Sequence, residues 1–201
     1  MSNIILDQAS FEQQLDQIHQ HFVTALSSRN FAKLQVESFQ PISLAGNGQA
    51  EIERAIDLAK DNTAELTVQQ QDNINGACEQ YKLDSDYDFD KEIDSIFDES
   101  DRRYKEISDN NRNKMKELGA KYPEQRAEIV QVTREETNFW LDTYETFSNF
   151  INNFVEKVEE WIKNSVDWLK NAFNDVSNWA SDTINKIGSF FGGIFSLAAN
   201  A

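Results

Sequence analysis

The chain has 201 residues, a net charge of −16, seven glycines, two prolines and a single cysteine. So acidic a balance opposes binding to nucleic acid, because nothing could neutralise phosphates at useful density. One cysteine excludes an internal disulfide, and so few helix breakers over this length predict an all-α fold.

The first predicted helix covers residues 10–28. Ser10 and Gln13 form a capping-box pattern, and Phe11, Leu15, Ile18, Phe22 and Leu26 follow on one helical face. Pro41 and the Gly46-Asn47-Gly48 cluster then mark a loop over residues 40–48. A second helix is predicted over 49–81, with Ile52, Ile56, Ala59, Leu66, Ile74, Ala77 and Tyr81 on one arc. Its apolar stripe thins at "TVQQQDN".

A third helix is predicted over 86–118, with a narrow, coiled-coil-like seam from Phe89 to Leu118 and a densely charged opposite face. Gly119 suits a position just past its end, and Pro123 suits the start of the next helix. Together residues 1–123 read as an acidic helical body.

Residues 124–187 read as one long amphipathic helical region, which as a single rod would span roughly 95 Å. A break or bend is expected near 130–140, where the periodicity is weakest. Residues 188–201 form an apolar Gly/Phe tail. The whole is an elongated helical bundle of coiled-coil-like helices.

No catalytic, cofactor or metal motif emerges, and a non-enzymatic protein is expected. Asp84, Asp86, Asp88 and Asp90 alternate like calcium-loop ligands. A loop starting at Asp84, however, places Phe89 where glycine is needed and Ser95 where glutamate is needed. Acidic residues at a helix start are also favoured by the helix dipole. His19 and His21 do not share a helical face, so they make a poor zinc pair. Cys78 sits near the apolar arc of the second helix and reads as a buried thiol.

The informative region is the C-terminal one. On a helical wheel at about 100° per residue, Trp161, Trp168 and Trp179 fall within roughly 20° of one another. Beside them lie Ile162, Val166, Leu169, Phe173, Val176, Ala180, Ile184 and Ile187. The apolar face is about 160° wide, broader than a coiled-coil seam. Tryptophan favours such a margin, with its ring against hydrocarbon and its N–H hydrated. The stretch from Glu160 to Ala201 carries four acidic and three basic residues, a net charge of −1, which leaves −15 on the rest.

The tail adds Phe190, Phe191, Ile194, Phe195 and Leu197. Gly188 and Gly192 form a small-xxx-small pair, and the Phe/Gly mixture resembles fusion peptides in composition. The tail is too short to span a bilayer alone as a helix. Its rings would be a liability in water unless covered.

These features predict a contact element made of Trp161, Trp168, Leu169, Phe173, Val176, Trp179, Ile184, Ile187, Phe190, Phe191, Ile194, Phe195 and Leu197. The expected function is that of a membrane-active helical protein, a pore-forming or permeabilising toxin component or secreted effector. Its partners would be membrane lipid or partner helices, with a homo- or hetero-oligomer as the active form. The competing expectation is a non-enzymatic structural or adaptor protein whose last helix is an assembly interface. The N-terminus shows neither a basic n-region nor an apolar h-region. A soluble protein made in the cytoplasm without a signal peptide is therefore expected, acting at a membrane after export.

Overall fold

The computed structural model describes residues 6–35, 48–84 and 86–195, and no side-chain placement for Phe195. The described chain is helical, as the periodicity predicts: α1 (Gln8–Ser28), α2 (Gln49–Leu83), α3 (Phe89–Lys121), a 3-10 turn (Pro123–Gln125), α4 (Arg126–Asn164) and α5 (Trp168–Phe195). Short turns join α2 through α5, so successive helices run in opposite directions. α2 packs on α3, α3 on α4, α4 on α5, and α5 closes the ring against α2. α1 lies against α3 and α4 at one end of this four-helix bundle.

The capping differs in detail from the sequence reading. Asp7, not Ser10, caps α1, its carboxylate accepting from the Ser10 backbone N–H at 2.9 Å. Arg29 ends the same helix in the left-handed region, at φ 53°. Asp88 caps α3 by accepting from the Lys91 N–H at 3.1 Å, and Asp84 accepts from the Asp86 N–H at 3.0 Å. The alternating aspartates thus turn the chain and start a helix. Of the expected loop 40–48, only Gly48 lies within the described residues.

Gly119 is not past the end of α3 but inside it. A Cβ there would lie 2.2 Å from Cζ of Phe11, so the missing side chain is what lets α1 approach α3. Gly48 starts α2 with φ 100°, and the Tyr122 ring occupies the space beside it.

Two apolar clusters fill the bundle. One, at the α1 end, centres on Phe11, Phe22, Ile52, Met115, Trp140 and Tyr144. The other, at the opposite end, centres on Ile74, Ile93, Phe147, Phe154 and Val176. Small polar residues occupy the helices between them. Gln70, Ser100, Thr143 and Thr183 are buried, one from each of α2 to α5. The Gln70 amide donates to Ser100 Oγ at 3.1 Å, and Thr143 and Thr183 donate to carbonyls one turn back. This polar waist is where the apolar stripe of α2 thins in the sequence. Trp140, 1% exposed, donates its indole N–H to Thr63 Oγ1 at 3.0 Å and fixes α4 against α2.

The C-terminal helical hairpin as a candidate contact element

The expected break near 130–140 does not exist. α4 runs unbroken through it, because Val130, Val132 and Trp140 are buried there and hold the helix in register. The chain turns instead at residues 165–167. Ser165 is extended (φ −141°, ψ 132°), and its Oγ accepts from the Asp167 N–H at 3.2 Å. The Lys170 and Asn171 N–H groups donate to the Asp167 carbonyl and open α5. Asn164, Ser165 and Asp167 are residue types that end and restart helices, and they were the missed sequence signal.

The turn overturns the single wheel on which the three tryptophans shared a margin. Trp161 belongs to α4, while Trp168 and Trp179 belong to α5. As one rod, residues 168–195 would leave their apolar face uncovered. Folded back, that face is buried against α2 and α4.

The predicted contact residues divide accordingly. Val176, Trp179, Ile187, Phe191 and Ile194 are buried in the bundle. Trp179 stacks on Phe150 at 4.9 Å, and its indole N–H has no hydrogen-bond partner among the described residues. Trp161, Trp168, Leu169, Phe173 and Phe190 are half-buried. Phe190 stacks face to face on Phe139 at 4.2 Å, and Phe191 meets the same ring edge-on at 5.7 Å. Ile184 is exposed at 37%. The Phe195 side chain and Leu197 lie outside the described residues. The tail's glycines 188, 192 and 193 do not interrupt α5.

What holds α5 differs from what holds α1. Arg126 donates to the Leu6 carbonyl at 2.7 Å, Arg134 to Gln14 Oε1 at 3.1 Å, and Lys116 pairs with Asp16 at 2.7 Å. The Arg29 guanidinium pairs with Asp101 at 3.2 Å and lies 4.4 Å from the centre of the Phe97 ring. For α5, the ion pair to another helix among the described residues is Lys157–Asp175 at 3.0 Å, on the rim. The remaining hold is mainly aromatic and aliphatic packing. Between α4 and α5 a groove of about 670 Å³ opens, with Phe139, Thr143, Thr183 and Lys186 in its walls.

Burial also perturbs titratable groups elsewhere in the bundle. Glu136 on α4 is fully buried and pushed up to about 8 by desolvation, with Asn111 Nδ2 donating to it at 2.8 Å. Cys78 is buried, which pushes its thiol up to about 12 and leaves it protonated and unreactive. Burial and then the Arg112 charge lower the His19 pKa, and its Nδ1 lies 2.9 Å from Ser108 Oγ. Among the described residues no cluster of acidic, His or Cys side chains is arranged to hold a metal, and no helix is long and apolar enough to cross a membrane.

No protein-family model, no curated protein and no solved structure matches this chain.

Proposed function

We propose that the chain is a membrane-active helical protein in which α5 is stored on the bundle and released onto lipid. The observation that carries this reading is the asymmetry of attachment. Polar and charged bonds fasten α1, whereas apolar packing supplies most of the hold on α5, with the Lys157–Asp175 ion pair at its rim. Moving α5 from the bundle to lipid exchanges one apolar environment for another, so the share of the burial free energy that belongs to α5's own face is retained. Undocking α1 would break directional bonds that lipid cannot replace.

Released α5 is an amphipathic helix of 28 residues with Trp168 and Trp179 available to the interface. It would lie in the headgroup region, and permeabilisation would require several copies to line a polar path. The test is the full chain with vesicles, at neutral and acidic pH. Expected are a blue shift of tryptophan emission, dye leakage, and faster amide exchange of bundle-protected α5 than of α1. Absence of both vesicle binding and leakage would refute the reading.

The groove between α4 and α5, with exposed Ile184, favours a second reading in which the hairpin receives a partner helix. That reading expects an oligomer in sedimentation that detergent dissociates, with no response to vesicles.

A further inference from the structure

The end of the bundle remote from the apolar tail carries an exposed apolar surface. The α4–α5 turn projects Val166, 98% exposed, with Ile162 38% exposed beside it. The α2–α3 turn at the same end projects Leu83, 80% exposed. Trp168 is half-buried and meets Tyr81 edge-on at 6.2 Å, and Tyr81 stacks on Phe89 at 5.3 Å. The two turns therefore form one surface, with aliphatic side chains outermost and aromatic rings at their base.

We infer that this end of the bundle is the surface by which the folded protein first meets a zwitterionic, choline-headed lipid membrane. The inference rests on the membrane reading above and adds to it where contact begins and on which lipid.

Burying Val166 and Leu83 in the interfacial zone recovers apolar area that folding leaves in water. Half-buried Trp161 and Trp168 flank the apex at the depth where indole rings settle between hydrocarbon and headgroup. Charge selects the lipid. Asp84, Asp86, Asp88, Asp90 and Asp167 are exposed at the two turns, with exposed Glu159 and Glu160 behind them, and together they outnumber the nearby Lys82, Lys91, Lys163 and Lys170. Lys163 is in addition paired with Glu159, at 3.9 Å. An anionic bilayer is repelled by such a rim. A quaternary ammonium headgroup is attracted both by carboxylates and by aromatic faces. The turn is also the hinge of α5, so lipid contact at Val166 pulls on the helix that is to be released.

The test uses the full-length protein with vesicles of pure phosphatidylcholine and with vesicles containing phosphatidylserine. Val166→Asp, at a nearly fully exposed site, keeps the fold. Val166→Cys carries an environment-sensitive dye, since Cys78 is buried and spared from labelling. The expected results are a blue shift of the dye on phosphatidylcholine and weaker binding when phosphatidylserine is present. Val166→Asp should weaken binding by about tenfold or more. Leu58→Asp, an exposed apolar site in the other half of α2, should bind as the parent does. If Val166→Asp binds and permeabilises like the parent, the inference is overturned while the membrane reading stands. If the dye shifts with protein concentration and ignores lipid, the surface meets a second copy and the inference is overturned. If the parent neither binds nor permeabilises any vesicle, the inference and the reading beneath it fall together.

Discussion

Replacing Glu136 by glutamine should make the bundle more stable at alkaline pH and change little in acid. Glu136 is fully buried on α4, with Asn111 Nδ2 donating to Oε2 at 2.8 Å and no hydrogen-bond partner for Oε1 among the described residues. Burial raises its pKa to about 8 from an ordinary 4.5. Below 4.5 folded and unfolded chains both hold the proton, and stability does not depend on this group. Between 4.5 and about 8 the folded chain keeps a proton that the unfolded chain has released. Raising the pH through that window therefore favours unfolding, and above it the loss is complete. At about 1.36 kcal/mol per pKa unit, the window corresponds to a loss on the order of 3–5 kcal/mol. Glutamine has the same shape, can accept the Asn111 hydrogen bond and cannot ionise.

Urea denaturation of both proteins across this range supplies the assay. In the difference between the two curves every other titration cancels. Near pH 4 the proteins should agree within about 1.5 kcal/mol, as expected for a swap that conserves volume. By about pH 8.5 the variant should be the more stable by several kcal/mol. A difference that stays constant with pH, or a variant less stable at alkaline pH, would refute the reasoning.

Gly119→Ala should destabilise by about 1–3 kcal/mol despite alanine's better helix propensity, because its Cβ would collide with the Phe11 ring; thermal melting reads the sign. Phe191→Ala should cost about 3–5 kcal/mol, and hydrogen exchange should show the loss in α5 amides before those of α1 and α3. Leu169→Ala and Phe173→Ala should each cost less than this, since both side chains are only half-buried. His19 holds its proton less tightly in the folded chain, so acid below pH 6.5 should cost stability as the unfolded chain protonates first. His19→Gln should lessen that acid loss in parallel pH-dependent melts.

The helices themselves follow from the sequence alone. Apolar residues at a period near 3.6, with few glycines or prolines to interrupt them, dictate amphipathic helices wherever their stripe finds a partner. The buried residues of α1 include every member of the stripe read from Phe11 to Leu26, and the gap at "TVQQQDN" became the polar waist around Gln70. The break between α4 and α5 was legible only weakly, in Asn164, Ser165 and Asp167. A local stretch compatible with both helix and turn is decided by what each choice buries. Folding back at Ser165 places Val176, Ile187 and Phe191 against α2 and α4, and a continuous rod cannot. The role of Gly119 was hidden for the same reason, since its need for no side chain comes from Phe11, which is remote in sequence. Glu136, one of 35 acidic residues, became distinctive only when packing removed its water. Periodicity is a local property that the chain carries along its length. Which apolar face meets which, and which charge loses its solvent, depend on contacts between residues far apart in sequence, and those exist only in the folded bundle.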